Sequence, residues 1–206
     1  MNRRPRRSIS VWWLALMSGA VTLQLGAQTL NRVPSAQLEK VIASLDKHLL
    51  PEGAKSLEVE RDQVVAAPGV TFLPVRFEAE DKNATLVVPG EPSRTKFYCG
   101  LYQIKEGVSA KFILTFGAGQ TEAEECTGLK AIGAAAPHAT HGNLILIYNA
   151  STLREELPEP VILSWQDSPK KYVVNDELTS YVGTNSRKSY TIFNIRSVLQ
   201  SRAAQR

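Results

Sequence analysis

The chain has 206 residues, with 24 Lys and Arg against 20 Asp and Glu. Arg3, Arg4, Arg6 and Arg7 account for the whole basic excess, so the rest of the chain balances 20 positive against 20 negative groups. Lys82, Arg94, Lys96, Lys105 and Lys111 are interleaved with Glu78, Glu80, Asp81, Glu91 and Glu106. Nucleic-acid binding needs clustered cations that displace counterions, so that class of partner is excluded.

The four arginines open the chain, no acidic residue precedes Glu39, and an apolar run occupies residues 9–25. A basic patch followed by an apolar core and small residues is the pattern that bacterial Sec-type export reads. The run is 17 residues long and includes Ser18, Gly19, Thr22 and Gln24. That is short and polar for a stable membrane span, which needs about 20 apolar residues. Residues 1–28 are therefore expected to be a cleaved signal peptide, with an uncleaved anchor as the alternative. Residues 29–206 are expected to form one soluble domain outside the cytoplasm, periplasmic or secreted.

Ser35 is expected to cap a first helix, in which Leu38, Val41, Ile42, Leu45 and Leu49 share a face before Pro51-Glu52-Gly53 stops it. From Ser56 the period becomes two. Thr71, Leu73, Val75, Phe77 and Ala79 alternate with Phe72, Pro74, Arg76 and Glu78, a strand that Pro74 marks as an edge or a bulge. Further strands are expected at 84–88, 95–104 and 110–116, the last two joined as a hairpin through Glu106-Gly107. Residues 143–148 read as a central strand, and 161–165 with 171–174 as a second hairpin. Asn175 or Asp176 caps a short helix ending near Gly183. Thr191 caps a last one, with Ile192, Ile195, Val198 and Leu199 on one face, ahead of a fraying tail from Ser201. The expected class is α+β: an antiparallel or mixed sheet of about seven to eight strands with a helix near each end.

Residues 117–142 hold five glycines, the run Ala134-Ala135-Ala136-Pro137 and few large apolar side chains, so they read as a long loop. Such loops carry function more often than the elements they connect, which makes Glu122, Glu124, Glu125, His138 and His141 the candidate interaction residues. Cys99 and Cys126 are the only cysteines and are expected to pair in an oxidising compartment, tying this segment to the sheet.

The same residues bear on catalytic chemistry. His138 and His141 offer two ligands in a segment that Pro137 and Gly142 keep from being helical, with no third ligand nearby, so no metal site is expected. Cys99 as nucleophile with His138 or His141 as base would make a thiol hydrolase acting on cell-wall or peptide bonds. A cysteine followed by a histidine ahead of an apolar strand resembles secreted cysteine hydrolases of the cell wall. Those enzymes place the cysteine at a helix start, after an aspartate and before a serine, whereas Phe97-Tyr98-Cys99-Gly100-Leu101-Tyr102 has the pattern of a strand. The favoured expectation is a small exported binding protein of the inhibitor, immunity or envelope-accessory type. It would have no cofactor, and its partner would be another envelope or secreted protein.

Overall fold

The structure is a computed structural model that describes residues 30–43, 45, 53–81, 94–105, 110–118, 121, 124–136, 142–151, 155–186 and 190–205. The expected signal segment, the strand expected at 84–88, the Glu106-Gly107 turn and both candidate histidines lie outside these residues.

The described elements are mostly antiparallel strands, in two sheets rather than one, together with three helices. The first sheet runs β1 (Asn31–Arg32), β3 (Val65–Ala67), β4 (Val70–Glu80), β5 (Thr95–Lys105), β6 (Lys111–Phe116). Here β2 (Ser56–Val59) shares with β3 the same side of β4. The second sheet runs β10 (Lys171–Val174), β9 (Glu156–Gln166), β8 (Leu144–Ser151), β7 (Glu125–Ala134). No described helix is long and apolar enough to cross a membrane.

The two sheets share one core. Phe72, Leu101, Ile113 and Phe116 of the first meet Leu129, Leu146, Tyr148 and Leu163 of the second. Each outer face is covered as well. Helix α1 (Ser35–Ala43) brings Leu38, Val41 and Ile42 onto Leu73, Val75 and Tyr102. Helices α2 (Asp176–Asn185) and α3 (Ile192–Ala204) lay Val182 and Ile195 over Ile145, Ile147 and Ile162. The order of layers is helix, sheet, sheet, helix pair. This explains why β8 is apolar almost without interruption: both its faces are buried, and it lies between β7 and β9.

Cys99 of β5 and Cys126 of β7 are joined across the sheets, 5.8 Å apart at Cα and essentially without solvent exposure. Toward the other end of the sandwich, Phe72 packs edge-on against Tyr172, ring centroids 5.5 Å apart.

Several local expectations meet corrections. Pro74 marks neither an edge nor a bulge, because β4 is paired on both sides. Its carbonyl accepts the Glu60 amide where the 3-10 turn Arg61–Gln63 crosses between β2 and β3. The missing N–H of proline therefore points into a break between two partner strands, where no ladder bond is lost. Ser35 opens α1 without capping it, since the carbonyl of Pro34 takes the amide of Leu38. The caps at Asn175 and Thr191 form as expected, their side chains accepting from the amides of Leu178 and Asn194. Helix α2 runs past Gly183 to Asn185. The tail keeps its helix to Ala204, where Arg202 pairs with Glu177 and stacks on Tyr181.

The largest correction concerns residues 117–142. Their middle is strand β7, paired antiparallel with β8. Its small residues are there for packing. A Cβ on Gly133 would lie 2.7 Å from Ile192 Cγ2, so α3 can seat only where the strand is bare. Gly128 adopts φ +151°, and a Cβ there would press to 3.0 Å on Glu60 Oε1. Register shifts beside Cys126 and Leu129 break the alternation that would have announced the strand.

Candidate functional site: a cleft between the sheets

The part of residues 117–142 that is not strand begins at Gly117, just after β6. Its amide donates to Thr121 Oγ1 at 2.8 Å, the Thr121 hydroxyl donates to the Ala118 carbonyl, and the Glu124 amide donates to the Thr121 carbonyl. These bonds tie Gly117, Ala118, Thr121 and Glu124 to one another just ahead of β7.

Ala118 and Thr121 of this group form one wall of a cleft of about 190 Å³. Leu114 and Phe116 of β6 face Val161 of β9 and Val174 of β10, which gives the cleft an apolar body. Ala118 and Thr121 stand on one side, and Asp176 and Thr179 of α2 on the other. Among the described residues, the lining includes no basic side chain. Thr115 contributes little to recognition: its hydroxyl donates to the Cys99 carbonyl and is shared with the hydroxyl of Tyr148 at 2.6 Å. Thr179 Oγ1 accepts from the Ile162 amide, which leaves its own hydrogen available to a ligand. Asp176 is exposed at the first position of α2.

Two further carboxylates belong to the same region. Glu124 is bonded through its amide to cleft-lining Thr121. Glu159 lies two residues before cleft-lining Val161 on β9, hence on the same face of the strand. Burial raises the pKa of both above the ordinary glutamate value, and the charge of Glu124 raises Glu159 further. Glu124 Oε2 is out of reach of solvent and has no hydrogen-bond partner among the described residues. Glu60, on the far side of β7, is also raised, by burial and then by Glu58, while Arg76 and the Leu129 amide work against the rise.

Carboxyls raised in the fold favour its protonated form. They stabilise it below about pH 4.5, the unfolded value, and that contribution is lost as pH rises through the folded value. Glu124→Gln and Glu159→Gln should therefore raise the melting temperature at pH 7 and leave it unchanged at pH 4. Because both side chains are only partly buried and remain partly screened by solvent, the gain should stay below about 1 kcal/mol each. Scanning calorimetry at the two pH values checks this, and an equal gain at both would refute it.

Among the described residues, Glu78, Glu80, Glu124, Glu125, Glu156 and Glu159 lie toward the disulfide end together with Lys55 and Arg94, and there Arg76 pairs with Glu58 and Lys96 stacks on Tyr98. The opposite end carries Lys105, Lys111, Lys170 and Lys171, with Lys105 over the Trp165 ring.

Of the residues singled out in the sequence, Glu124 is placed beside the cleft and Glu125 begins β7. Glu122, His138 and His141 are outside the described residues. Cys99 is bonded to Cys126 and buried, so the thiol that a hydrolase would need is not available. Among the described residues, no three His, Cys, Asp or Glu side chains are grouped to hold a metal ion. In the sequence Asp176 is a candidate helix cap, Val161 belongs to an expected strand and Thr179 falls inside the expected short helix. Nothing local marks them as site residues, because the cleft arises where β6 meets β10 and α2, some 60 residues later in the chain.

Comparison with protein-family models, curated proteins and solved structures finds no match to this chain.

Proposed function

We propose that this chain is an exported binding protein without catalytic activity, whose partner is another envelope or secreted protein. Its contact surface is the cleft together with Gly117, Ala118, Thr121 and Glu124 beside it. One observation carries this reading: a turn that adds little to the shared core is held by three hydrogen bonds as the wall of an apolar cleft. The competing thiol-hydrolase reading loses its support, because the Cys99 sulfur is tied up in a buried bond.

Deleting residues from 117 to 142 would be a poor test, since it would remove β7 and half of the disulfide. Ala118 is exposed on the cleft wall, so Ala118→Trp fills the cleft without touching the core. Immobilised parent protein should retain an envelope partner that Ala118→Trp loses at least about tenfold, with melting temperatures within about 2 °C. Undiminished retention by the variant would rule out the cleft as the contact.

A further inference from the structure

We propose that β6 accepts an added strand: an extended segment of the partner polypeptide pairs antiparallel with its open edge and sets one apolar side chain into the cleft. This rests on the binding reading above and adds the chemistry of what binds.

The hydrogen bonds fix which way the main chain of β6 points. The Asp81 amide donates to the Arg94 carbonyl, and alternation from that bond makes the odd-numbered residues of β4 and the even-numbered residues of β5 face one another. The odd-numbered residues of β5 therefore face β6, where Leu101 and Gln103 stand opposite Ile113 and Lys111. Phe112 and Leu114 are left with N–H and C=O directed away from the sheet, and both residues are partly exposed. Among the described residues no strand lies beyond β6, and its register is unbroken from Lys111 to Leu114.

Strand β10 opens on the same side. The Asn175 amide donates to the Ile162 carbonyl, so the main chain of Tyr172 and Val174 turns away from β9. The Tyr172 amide is answered by the Gln103 side chain at 3.3 Å. The cleft is the gap between these two edges, with Leu114 on one side and Val174 on the other. Strand β7, at the far edge of the second sheet, differs: register shifts interrupt it, and Arg76 takes its Thr127 carbonyl.

A regular row of outward amides and carbonyls is matched by another extended main chain. Phe112 and Leu114 pack on the outer face of their sheet, whereas Ile113 packs inward. Partner residues bonded to Phe112 and Leu114 therefore put their side chains outward, and the residue between them points to the cleft. The volume of about 190 Å³ exceeds the roughly 150 Å³ that holds a benzene ring, so a phenylalanine or leucine side chain fits. Charge sets the direction. Lys111 opens β6 on its inward side, reaching the Pro169 carbonyl, and Asp176 stands by the cleft beyond the other end. An antiparallel segment with a basic residue first and an acidic residue last complements both.

The probe is the end-blocked pentapeptide Lys-Thr-Phe-Thr-Glu, added to the full mature protein and followed by amide NMR. It should bind with a Kd in about the millimolar range, shift the Phe112 and Leu114 amides and, in excess, slow their exchange with solvent at least about tenfold. N-methylation of either threonine removes a donor aimed at β6 and should weaken binding at least about tenfold. N-methylation of the phenylalanine alters an N–H that faces away and should cost less than about threefold. Replacing that phenylalanine by alanine should cost about tenfold, and exchanging the lysine with the glutamate about threefold. Leu114→Pro loses only the outward N–H and should bind at least about fivefold more weakly. If that variant does not fold, the N-methylated peptides decide alone.

Equal losses from every N-methylation would overturn main-chain pairing while leaving a cleft that binds an apolar side chain. Sedimentation of the protein alone tests the other occupants. A dimer with both amides already slow to exchange would assign the edge to a second copy, and a monomer with both already slow would assign it to another part of this chain. Either result overturns the added partner strand. Silence with the peptide overturns it as well, and the binding reading is then decided separately by the Ala118→Trp capture experiment.

Discussion

Replacing both Cys99 and Cys126 by alanine is expected to lower the unfolding free energy by about 3 to 4 kcal/mol. The bond closes a separation of 27 residues and restricts the unfolded chain accordingly. In the fold it connects β5 to β7, the edge strand of the second sheet, which is held in that sheet on one side only. Without it, β7 depends on β8, on the Arg76 guanidinium that donates to the Thr127 carbonyl at 3.0 Å, and on Leu129 in the core. Both sulfurs are buried, so the two alanines also leave a small cavity whose cost adds to that loss. Urea unfolding followed by fluorescence checks this, and a loss under about 1 kcal/mol would show that the crosslink does not restrain the chain.

Phe72→Ala should cost about 3 to 5 kcal/mol, at the opposite end of the same core. Its ring is fully buried and meets Tyr172 edge-on, so truncation removes a contact between the sheets and leaves a cavity that two paired strands cannot close. Phe193→Ala is the internal control. That ring is 78% exposed on α3, and its loss should change stability by less than about 0.5 kcal/mol. Equal effects at the two positions would contradict a core shared between the sheets. Because Phe72 and the disulfide are far apart, the two losses should add within about 0.5 kcal/mol in the triple variant.

What was legible in the sequence is what short-range chemistry decides. The caps of α2 and α3 follow from one side chain and an amide three residues away, and both form as expected. The alternation in β4 and the turn between β9 and β10 are equally local. The misreadings share another origin. Splitting the strands into two sheets is a choice among distant partners, and no single segment encodes it. Strand β7 looked like a loop because Gly128 and Gly133 serve contacts with Glu60 and Ile192, residues about 60 positions away. The same holds for the site. Glu124 was noticed because its segment is unusual, whereas Asp176 and Val161 acquire their role only when α2 and β9 arrive beside the turn.

The arrangement also bears on compartment. A pair of bonded cysteines in the core suits a chain that matures outside the reducing cytosol, which is what the basic and apolar start of the sequence predicts. Burial of both sulfurs means that a reductant reaches them only when the sheets separate.

Export and oxidation can be read together by fractionating cells that express the whole gene and labelling the recovered protein with a thiol reagent. The exported fraction should hold a chain shortened by about 28 residues, unlabelled until it has been both unfolded and reduced. A full-length chain in the cytosol, with two thiols that label on unfolding alone, would contradict it.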